Sequence, residues 1–496
     1  MNTHTLALQL MAAQGCLGAF DTLYHHELTE TLAQRTTARK ELAIHAVRAL
    51  IYALLFVGLA YWEWHGLLAW TLLGVFGVEI VLTLWDFVVE DRTRLLPATE
   101  RVTHTVLAIN GGAFITLLAL NAGVWAAHRT GLAWSPQGWL SVFLAVCGVG
   151  VGLSGVRDGL AVLRLGRAAD SVDKAPPVVF DLVKRTVLVT GATGFVGQNL
   201  VRALLRDGHE VIALTRQARQ AAWNFGGRVR CIESMDELGT AARVDVVVNL
   251  AGARILGPRW SGQRKAALRR SRVALTQRVV AWIARAEHKP RLFLSASALG
   301  YYGIQEIGDA ASLSETAPPQ PVFMSDLCRE WEEAAGAAAQ YGVQVECMRF
   351  GLVLGIGGAL PMMLLPILLG LGGRLGSGRQ WLSWIHVDDV VRAMAHRWQQ
   401  ALATRERAGT GATNFTAPEC VSQADFSRTA ARIWRRPSIL PTPGWPMRLA
   451  LGEQADLLLE GQRVVPARRQ REGYTFRYPT LAQALSAIRF PSRAER

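Results

Sequence analysis

The stretch RTVLVTGATGFVGQNLVRALLRDGHEVIALTR, residues 185–216, predicts the fold of the second part of this chain. Its segment TVLVT is rich in β-branched residues and predicts a buried strand. The segment GATGFVG follows at once and opens an amphipathic helix, and a second predicted strand begins at Glu210. A strand, a glycine-rich turn, a helix and a further strand predict an α/β fold of the Rossmann type, which is a doubly wound parallel sheet.

The turn between the first strand and its helix predicts a phosphate-binding site. Its glycines permit a tight turn, let the backbone approach a pyrophosphate and allow the helix to pack closely on the strand. The amino end of the helix adds unpaired N–H groups and the positive end of the helix dipole. We therefore favour a bound dinucleotide over a turn without ligand. The predicted residues are Gly191, Thr193, Gly194, Phe195, Val196 and Gly197.

The end of the second strand indicates which dinucleotide is bound. An acidic residue there would bond the ribose 2′-hydroxyl of NAD, but this strand ends in Thr215 and Arg216. A hydroxyl and a guanidinium favour the 2′-phosphate of NADP, so NADP is the predicted cofactor. The next predicted strand, VDVVVNLAG at residues 244–252, ends where the cofactor would cross it. Its last residues, Leu250, Ala251 and Gly252, are predicted neighbours of the cofactor.

The residues before this stretch are strongly apolar and predict helices rather than an α/β fold. The chain of 496 residues carries 53 Lys and Arg against 39 Asp and Glu, a net charge of +14, and half of it is hydrophobic. Four apolar runs each approach the roughly 20 residues that cross a bilayer. These runs are residues 44–62, 67–89, 103–125 and 139–156. They are too long to hide in a soluble bundle, so we predict an all-α four-helix transmembrane domain with the lipid bilayer as partner.

The basic residues around these runs predict the orientation. Three Lys or Arg residues precede the first run, three lie in the second loop and six follow the fourth run. The third loop has only Arg129, and the first has none. Because Lys and Arg collect on the cytoplasmic side, we predict a multi-pass protein of the cytoplasmic (inner) membrane with both termini in the cytoplasm. Six cysteines without metal-ligand spacing fit a reducing compartment.

Ionisable residues in and beside the runs have two interpretations. Glu79 and Asp86 stand seven residues apart, on one helix face, and others lie near run ends. Such residues form metal or proton sites, or they make polar contacts between helices. We prefer the second interpretation and assign no metal ligand. The residues near run ends are His25, His26, Glu27, His45, Glu100 and His104.

These patterns predict five segments. Residues 1–42 form a cytoplasmic or interfacial segment, in which LALQLMAAQGCLGAF is predicted as a helix on the membrane surface. The transmembrane domain takes residues 43–160, and a charged, proline-containing linker takes residues 161–185. The NADP-binding domain takes residues 186–435, and a C-terminal domain takes residues 436–496.

Seven stretches of the second part carry a resemblance to a known family. In them the chain resembles the YfcH-like epimerase family, atypical extended short-chain dehydrogenase/reductases of the NAD(P)-dependent epimerase/dehydratase type. The resemblance covers nearly everything from residue 186 to residue 490. It implies a small C-terminal substrate lobe. The predicted transmembrane domain lies outside the resemblance. The stretches are LVTGATGFVG, VVNLAGARI, RWSGQRKAALRRSRVALT, LSASALGYYG, LCREWEEAA, MRFGLVLGIGGALPMMLLPILLGLGGRLGSGRQWLSWIHVDDVV and LLLEGQRVVPARRQREGYTFRYP.

The resemblance also implies roles for single residues. It places Arg272 near the cofactor phosphates, although a solvated basic helix face would explain this arginine equally well. It makes Leu352 and Val353 neighbours of the nicotinamide end. It gives His386 and the following DD pair an architectural role, and it makes ALPMMLLPILLGLGG a helix of the substrate lobe rather than a fifth span.

The usual catalytic pair of the short-chain reductases is missing. These enzymes use a Tyr and, four residues later, a Lys, with a Ser nearby that Ser297 matches. The alignment puts Val322 and Asp326, or in the neighbouring register Phe323 and Leu327, at the two positions. The catalytic candidates that remain are Ser297 and Tyr302. The tyrosine would donate from another direction, or it would only pack beside the cofactor.

Three functional hypotheses follow. The first is a membrane-anchored NADP(H)-binding oxidoreductase or epimerase that acts on an unidentified small molecule. The second is a catalytically silent NADP(H) sensor that acts on a membrane-protein partner. In the third, the front domain carries its own metal or redox chemistry and draws electrons from NADPH. The basic stretch ARRQREGYTFRY is interpreted as a solvated surface, so no nucleic acid is expected as partner.

Overall fold

The structure, a computed structural model, has two compact units, one ending at Ala175 and one beginning at Pro176. It describes residues 3–22, 39–93, 98–172, 177–257, 259–368, 370–403 and 408–489. Three of the ionisable residues considered above, His25, His26 and Glu27, lie outside these ranges. Each unit is described by itself.

The first unit is helical. Among its described residues, four helices are long and apolar enough to cross a membrane, in agreement with the four runs of the sequence. They are α2 to α5, and a shorter helix α1 precedes them. The bounds are α1 Thr3–Phe20, α2 Arg39–Tyr61, α3 Leu67–Thr93, α4 Ala98–Trp125 and α5 Trp139–Val172.

Small residues allow α2 and α5 to pack closely. A Cβ atom built on Gly155 would lie 2.9 Å from the Cβ of Ala49, and one built on Gly148 would lie 2.8 Å from the Cγ2 of Val57. Helices gain little hydrophobic energy from association in lipid, so close backbone approach through small residues is a principal source of their packing.

Two loops of this unit pair with each other. Strand β1 (Trp62–His65) follows α2 and pairs antiparallel with β2 (Gly131–Trp134), which follows α4. The ring of Tyr61 stacks on that of Trp134 at 5.2 Å between centroids. Aromatic side chains of this kind are typical of the membrane–water interface.

Two predicted features of the first unit differ in the structure. Helix α1 is not a separate surface segment, because Ala7, Leu8 and Met11 are fully buried in one core with residues of α2 to α5. Helix α5 runs on to Val172, whereas the fourth apolar run of the sequence ends at residue 156 and the predicted transmembrane domain at residue 160. Residues 161–172 contain charged residues and one glycine but no proline, so the helix continues beyond the apolar run.

The second unit is built on a seven-stranded parallel sheet with the strand order β12-β8-β7-β6-β3-β4-β5. The predicted Rossmann fold is therefore confirmed. The chain winds outward from β3 to β5 and then returns to β6, so a crevice opens at the carboxyl ends of β3 and β6. The strands are β3 Thr186–Thr190, β4 Glu210–Leu214, β5 Arg230–Ile232, β6 Val246–Asn249, β7 Leu292–Ala298, β8 Gln344–Phe350, β9 Leu352–Leu354, β10 Trp381–Leu382, β11 Trp384–His386, β12 Thr410–Phe415 and β13 Val421–Ser422.

Helices cover both faces of this sheet. Because side chains alternate along a strand, Val187 packs in one core with Leu200, while Leu188 packs in the other with Val279. The helices of the unit are α6 Phe195–Arg206, α7 Ala218–Asn224, α8 Gly262–Arg269, α9 Leu275–Arg285, α10 Phe323–Gly336, α11 Leu360–Leu368, α12 Val387–Ala403, α13 Gln423–Trp434, α14 Trp445–Leu451, α15 Asp456–Leu459, α16 Ala467–Arg471 and α17 Leu481–Arg489.

A smaller lobe follows β8. Strand β9 pairs with β11, β10 pairs with β13, and α11, α13 and α17 share a core around Trp384 and Phe426. Helix α11 has nine residues, which is too short to span a bilayer, so the predicted lobe helix is confirmed. The carboxylate of Asp389 accepts backbone N–H groups from Arg477 at 2.8 Å and Tyr478 at 2.9 Å, which ties the C-terminal segment to α12.

Candidate functional site

The glycine-rich turn lies at the carboxyl end of β3, where the sequence places it. Gly191 has a φ of +67°, and a Cβ there would lie 2.8 Å from the backbone nitrogen of Ala251. A Cβ on Gly197 would overlap the carbonyl oxygen of Gly191. Both positions therefore need glycine. Gly191 needs it for its positive φ and for the close approach of the chain after β6, and Gly197 needs it because α6 packs closely on the turn.

The amino end of α6 follows this turn. Gly194 is the N-cap residue in an extended conformation, and no side chain caps the helix. Thr193 and Gly194 are exposed, while Val196 is half-buried. The first N–H groups of α6 have no partner within the helix, which suits the binding of an anion.

Phe195 contacts the chain that follows β9. Its ring would lie 2.7 Å from a Cβ on Gly355 and 2.8 Å from one on Gly358, so these glycines make room for the ring. Leu352, a predicted cofactor neighbour, is half-buried and donates its backbone N–H to Ser383 at 2.9 Å. The loop after β9 thus packs on the first residue of α6.

Thr215 and Arg216 follow β4. The Thr215 hydroxyl accepts a hydrogen bond from the N–H of Gln217 at 3.3 Å, which stabilises the turn between β4 and α7. Arg216 is exposed, and among the described residues no carboxylate lies within ion-pair distance of its guanidinium. The guanidinium at this position is therefore available to a ligand.

A cavity of about 210 Å³ lies beside the ends of β6 and β7. Five predicted site residues line it: Val196, Leu250, Gly252, Arg272 and Ser297. The other lining residues are Ile255, Ala296, Ala298, Met324, Leu327, Cys328, Trp331 and Phe350. The structure thus brings together residues that are scattered over more than 150 positions of the chain.

Arg272 is a buried cation in the wall of this cavity. Its guanidinium donates to the Ala253 carbonyl at 2.9 Å and lies over the ring of Trp331 at 5.4 Å. Burial, with a smaller contribution from the charge of Arg264, lowers the pKa of Arg272 to about 10, so it stays charged at neutral pH. Within the described part of the chain it has no carboxylate partner, which favours the role near an anion over the solvated helix face.

A buried polar network holds the strand ends beneath the cavity. The Thr190 hydroxyl donates to Asn249 at 2.6 Å, and Asn249 donates to Thr276 at 2.8 Å and to Ser295 at 3.2 Å. The Ala251 N–H donates to the Thr190 hydroxyl at 3.1 Å. These hydrogen bonds fix the positions of β3, β6 and β7 relative to one another beneath the cavity.

Ser297 and Tyr302 belong to a second network. The Ser297 hydroxyl donates to Glu332 at 2.6 Å, and Arg349 holds both oxygens of that carboxylate at 2.8 Å. Arg349 also donates to the Tyr302 hydroxyl at 3.0 Å, which itself donates to Asn414 at 2.7 Å. Tyr302 is 1% exposed and does not line the cavity, whereas Ser297 does.

The sequence reasoning missed Glu332 and Arg349. Both lie in stretches that carry the family resemblance, but nothing in the sequence marks their pairing, because they come from α10 and β8 and meet only after packing. The ion pair raises the pKa of Arg349 despite the opposing effect of burial. Burial raises the pKa of Tyr302, against the lowering effect of Arg349.

Helix α10 shows which positions face the cavity. Met324, Leu327, Cys328 and Trp331 line it at a helical spacing, and none of the four is Tyr or Lys. Val322, which the alignment puts at the tyrosine position, is the N-cap residue. Burial raises the pKa of Cys328 to about 12, so this side chain is a neutral thiol rather than a nucleophile.

In the first unit, Glu79 and Asp86 share one partner. Arg48 of α2 lies 3.1 Å from the Glu79 carboxylate and 2.7 Å from that of Asp86. These are polar contacts between helices, as we preferred from the sequence.

The fold, the glycine-rich turn and the cavity at the switch point together define a nucleotide-binding protein of the Rossmann class. The chain belongs to the NAD dependent epimerase/dehydratase family, whose model matches residues 187–407. A second family model, a domain of unknown function (DUF1731), matches residues 442–488.

Relatives and a solved structure support this membership. The chain is 40% identical over 311 residues to the chloroplastic epimerase family protein SDR39U1 homolog of Arabidopsis thaliana, covering 61% of this chain and 86% of the plant protein. It is 36% identical over 304 residues to the epimerase family protein YfhF of Bacillus subtilis, covering 97% of that protein. The crystal structure of human epimerase family protein SDR39U1 (isoform 2) with NADPH is similar at 33% identity and a TM-score of 0.54, over 61% of this chain and 98% of the human one.

Proposed function

We propose that the second unit binds NADP(H) in the crevice between β3 and β6. The observation that carries the proposal is Arg216, an exposed guanidinium at the end of β4, where no acidic residue stands to select NAD. The glycine-rich turn and the open end of α6 are suited to the pyrophosphate, and Arg272 supplies a buried positive charge in the cavity wall. A similar human protein was crystallised with NADPH.

We further propose that the protein is an oxidoreductase or epimerase of a small molecule. NADP(H), when bound, supplies hydride chemistry. The cavity remains open beside Ser297, whose hydroxyl hydrogen is directed to Glu332. The Ser297 oxygen is left with lone pairs, so it would accept a hydrogen bond from a substrate hydroxyl. This arrangement favours an alcohol or sugar-like group at the site.

A catalytically silent NADP(H) sensor is the second candidate. Two observations favour it. None of the four cavity-lining residues of α10 is Tyr or Lys, and the Tyr302 hydroxyl is already hydrogen-bonded to Arg349 and Asn414. Turnover separates the two candidates. Oxidation of NADPH by an aldehyde or ketone, or conversion of a nucleotide sugar into its epimer without net change of the cofactor, supports the enzyme. Binding of NADPH with neither reaction supports the sensor.

We propose that α2 to α5 anchor the protein in the cytoplasmic membrane with the C-terminus in the cytoplasm. The predicted cytoplasmic N-terminus does not fit the structure, because Thr3 at the start of α1 donates to Asn121 at 3.0 Å, at the end of the bundle that carries β1 and β2. The helices have the required length and hydropathy, and Lys and Arg collect on one side. A membrane protein partner would meet this unit within the bilayer. Reporter fusions test the orientation: a periplasm-active reporter in the loop at Gly131 is expected to be active, and one after Arg496 is expected to be inactive.

The cofactor proposal is tested on the full chain in mild detergent. We expect NADPH to bind at least tenfold more tightly than NADH, and Arg216→Asp to remove this preference. Arg230→Asp is the matched control, since Arg230 is also exposed but lies at the start of the neighbouring strand. Equal binding of the two cofactors by the unaltered chain would contradict the proposal.

A further inference from the structure

Three helices of the first unit each place two acid or imidazole side chains at the same end of the bundle. Each pair is spaced four residues apart, so both members lie on one helix face. Helices α2 and α4 begin at this end, and α3 finishes there. The pairs are Glu41 and His45 in α2, Asp86 and Glu90 in α3, and Glu100 and His104 in α4.

Glu90 stands between the two histidines. Its Oε1 lies 3.7 Å from His45 Nε2, and its Oε2 lies 3.4 Å from His104 Nδ1. Donor atoms of Glu41, His45 and Glu90 all lie within 4.8 Å of one another, and so do those of Glu90, Glu100 and His104. Two groups of three ligands therefore share one carboxylate.

This cluster is buried. Glu41, Glu90 and Glu100 are 0% exposed. Asp86 is 2% exposed; its Oδ2 lies 2.8 Å from His45 Nε2, and among the described residues its Oδ1 has no hydrogen-bond partner. Buried carboxylates are paired or bind metal, because their desolvation is costly.

The orientation of His104 gives an independent indication of a cation. Its Nε2 faces the carboxylate of Asp21 at 3.2 Å, a contact that holds the proton on this nitrogen. Its Nδ1 then presents a lone pair toward the Glu90 carboxylate, with no hydrogen-bond partner within the described residues. A lone pair that faces a carboxylate needs a proton or a metal ion between the two atoms.

The separations fit metal ligands. Ligands at about 2.1 Å from a cation stand roughly 3.4 Å apart at a tetrahedral angle. The 3.4 Å separation between Glu90 Oε2 and His104 Nδ1 matches this geometry and exceeds the usual length of an N–H···O hydrogen bond. Imidazole nitrogen together with carboxylate oxygen suits Zn²⁺, Mn²⁺ and Fe²⁺.

We propose that this cluster binds two divalent transition-metal ions, with Glu41 and His45 on one, Glu100 and His104 on the other, and Glu90 bridging them. Asp21 positions the His104 ring, and the Oδ1 of Asp86 is available to the ion beside His45. The ligands come from α2, α3 and α4, and Asp21 directly follows α1, so the site lies within the first unit and does not depend on the proposed cofactor site in the second unit.

The full chain, purified in mild detergent without chelator, tests the proposal. It is incubated with Mn²⁺, with Zn²⁺ or, anaerobically, with Fe²⁺, and is then desalted and analysed for metal by mass spectrometry. Glu90→Gln keeps the size of the side chain and removes the bridging charge. Glu63→Gln is the matched control, because Glu63 also contacts a histidine, His65 at 3.1 Å, but lies in β1.

We expect about two equivalents of one of these metals in the unaltered chain and in Glu63→Gln, and fewer than one in Glu90→Gln. NADPH binding by Glu90→Gln shows that the second unit is intact, and metal-dependent thermal stabilisation of the unaltered chain gives a second readout. A single equivalent would overturn the bridged pair. No bound metal, or equal loss in both variants, would overturn the site and leave a cluster of ion pairs held by protons.

Discussion

The hydroxyl of Ser297 donates a hydrogen bond of 2.6 Å to the carboxylate of Glu332. Glu332 is held in turn by two hydrogen bonds from Arg349, whose side chain is 5% exposed. The cavity-lining serine is thus oriented by a largely buried ion pair. This relationship makes Glu332 a positioning residue for the candidate site.

Replacement of Glu332 by Gln should destabilise the second unit. It leaves the buried charge of Arg349 without its carboxylate, a change that costs about 3 kcal/mol or more. We expect a lower melting temperature by tryptophan fluorescence. Glu330→Gln on the same helix is the control, since its pair with Arg269 is partly exposed and contributes at most about 1 kcal/mol. Equal shifts for the two variants would contradict the structural role of Glu332.

Tyr302→Phe should lower stability and leave NADPH affinity unchanged. Loss of the hydroxyl removes the hydrogen bonds to Arg349 and Asn414 and costs roughly 1–3 kcal/mol. Tyr301→Phe, in the half-buried neighbouring residue, is expected to have a smaller effect. If turnover is found, loss of kcat in Tyr302→Phe without any loss of stability would favour proton donation by this tyrosine instead.

Gly191→Ala should abolish or strongly weaken cofactor binding. The substitution combines a positive φ with a Cβ only 2.8 Å from the backbone of residues 250–251. Gly226→Ala separates the two causes, because Gly226 has a φ of +60° and a Cβ added there would meet no atom within 4 Å. We expect at least a tenfold loss of NADPH affinity in Gly191→Ala and none in Gly226→Ala.

Stability should fall as the pH falls from about 6.5 to about 4. Burial, with a smaller contribution from Arg477 and against the effect of Asp388, lowers the pKa of His386 to about 4. Between these values the unfolded chain binds a proton that the folded chain does not, so stability decreases with decreasing pH, by at most about 3 kcal/mol.

The measurement is the melting temperature against pH for the unaltered chain and for His386→Asn. The variant should show a weaker dependence in this window. His288→Asn replaces an exposed histidine and serves as control. An unchanged slope in His386→Asn would refute the assignment.

Several features of this protein were accessible from the sequence because their causes are local. Four apolar runs depend only on the hydropathy of about 20 consecutive residues, and all four became helices. The glycine-rich turn depends on the positive φ of Gly191 and on the close approach of Gly197 to the carbonyl oxygen of Gly191, six residues earlier. Neither feature depends on distant parts of the chain, so the four helices, the Rossmann fold and the position of the turn could be predicted.

The sequence by itself thus determined the class of each unit and the turn at Gly191, and only the tertiary structure decided which distant side chains meet. Glu332 and Arg349 reach Ser297 from two other elements, and Glu90 comes to lie between His45 and His104 of two other helices. Helix α1 likewise joined the bundle although its own pattern predicted a surface helix. The physical reason is that such contacts depend on how elements cross and rotate, which is decided by the packing of the whole core and not by any short stretch of chain.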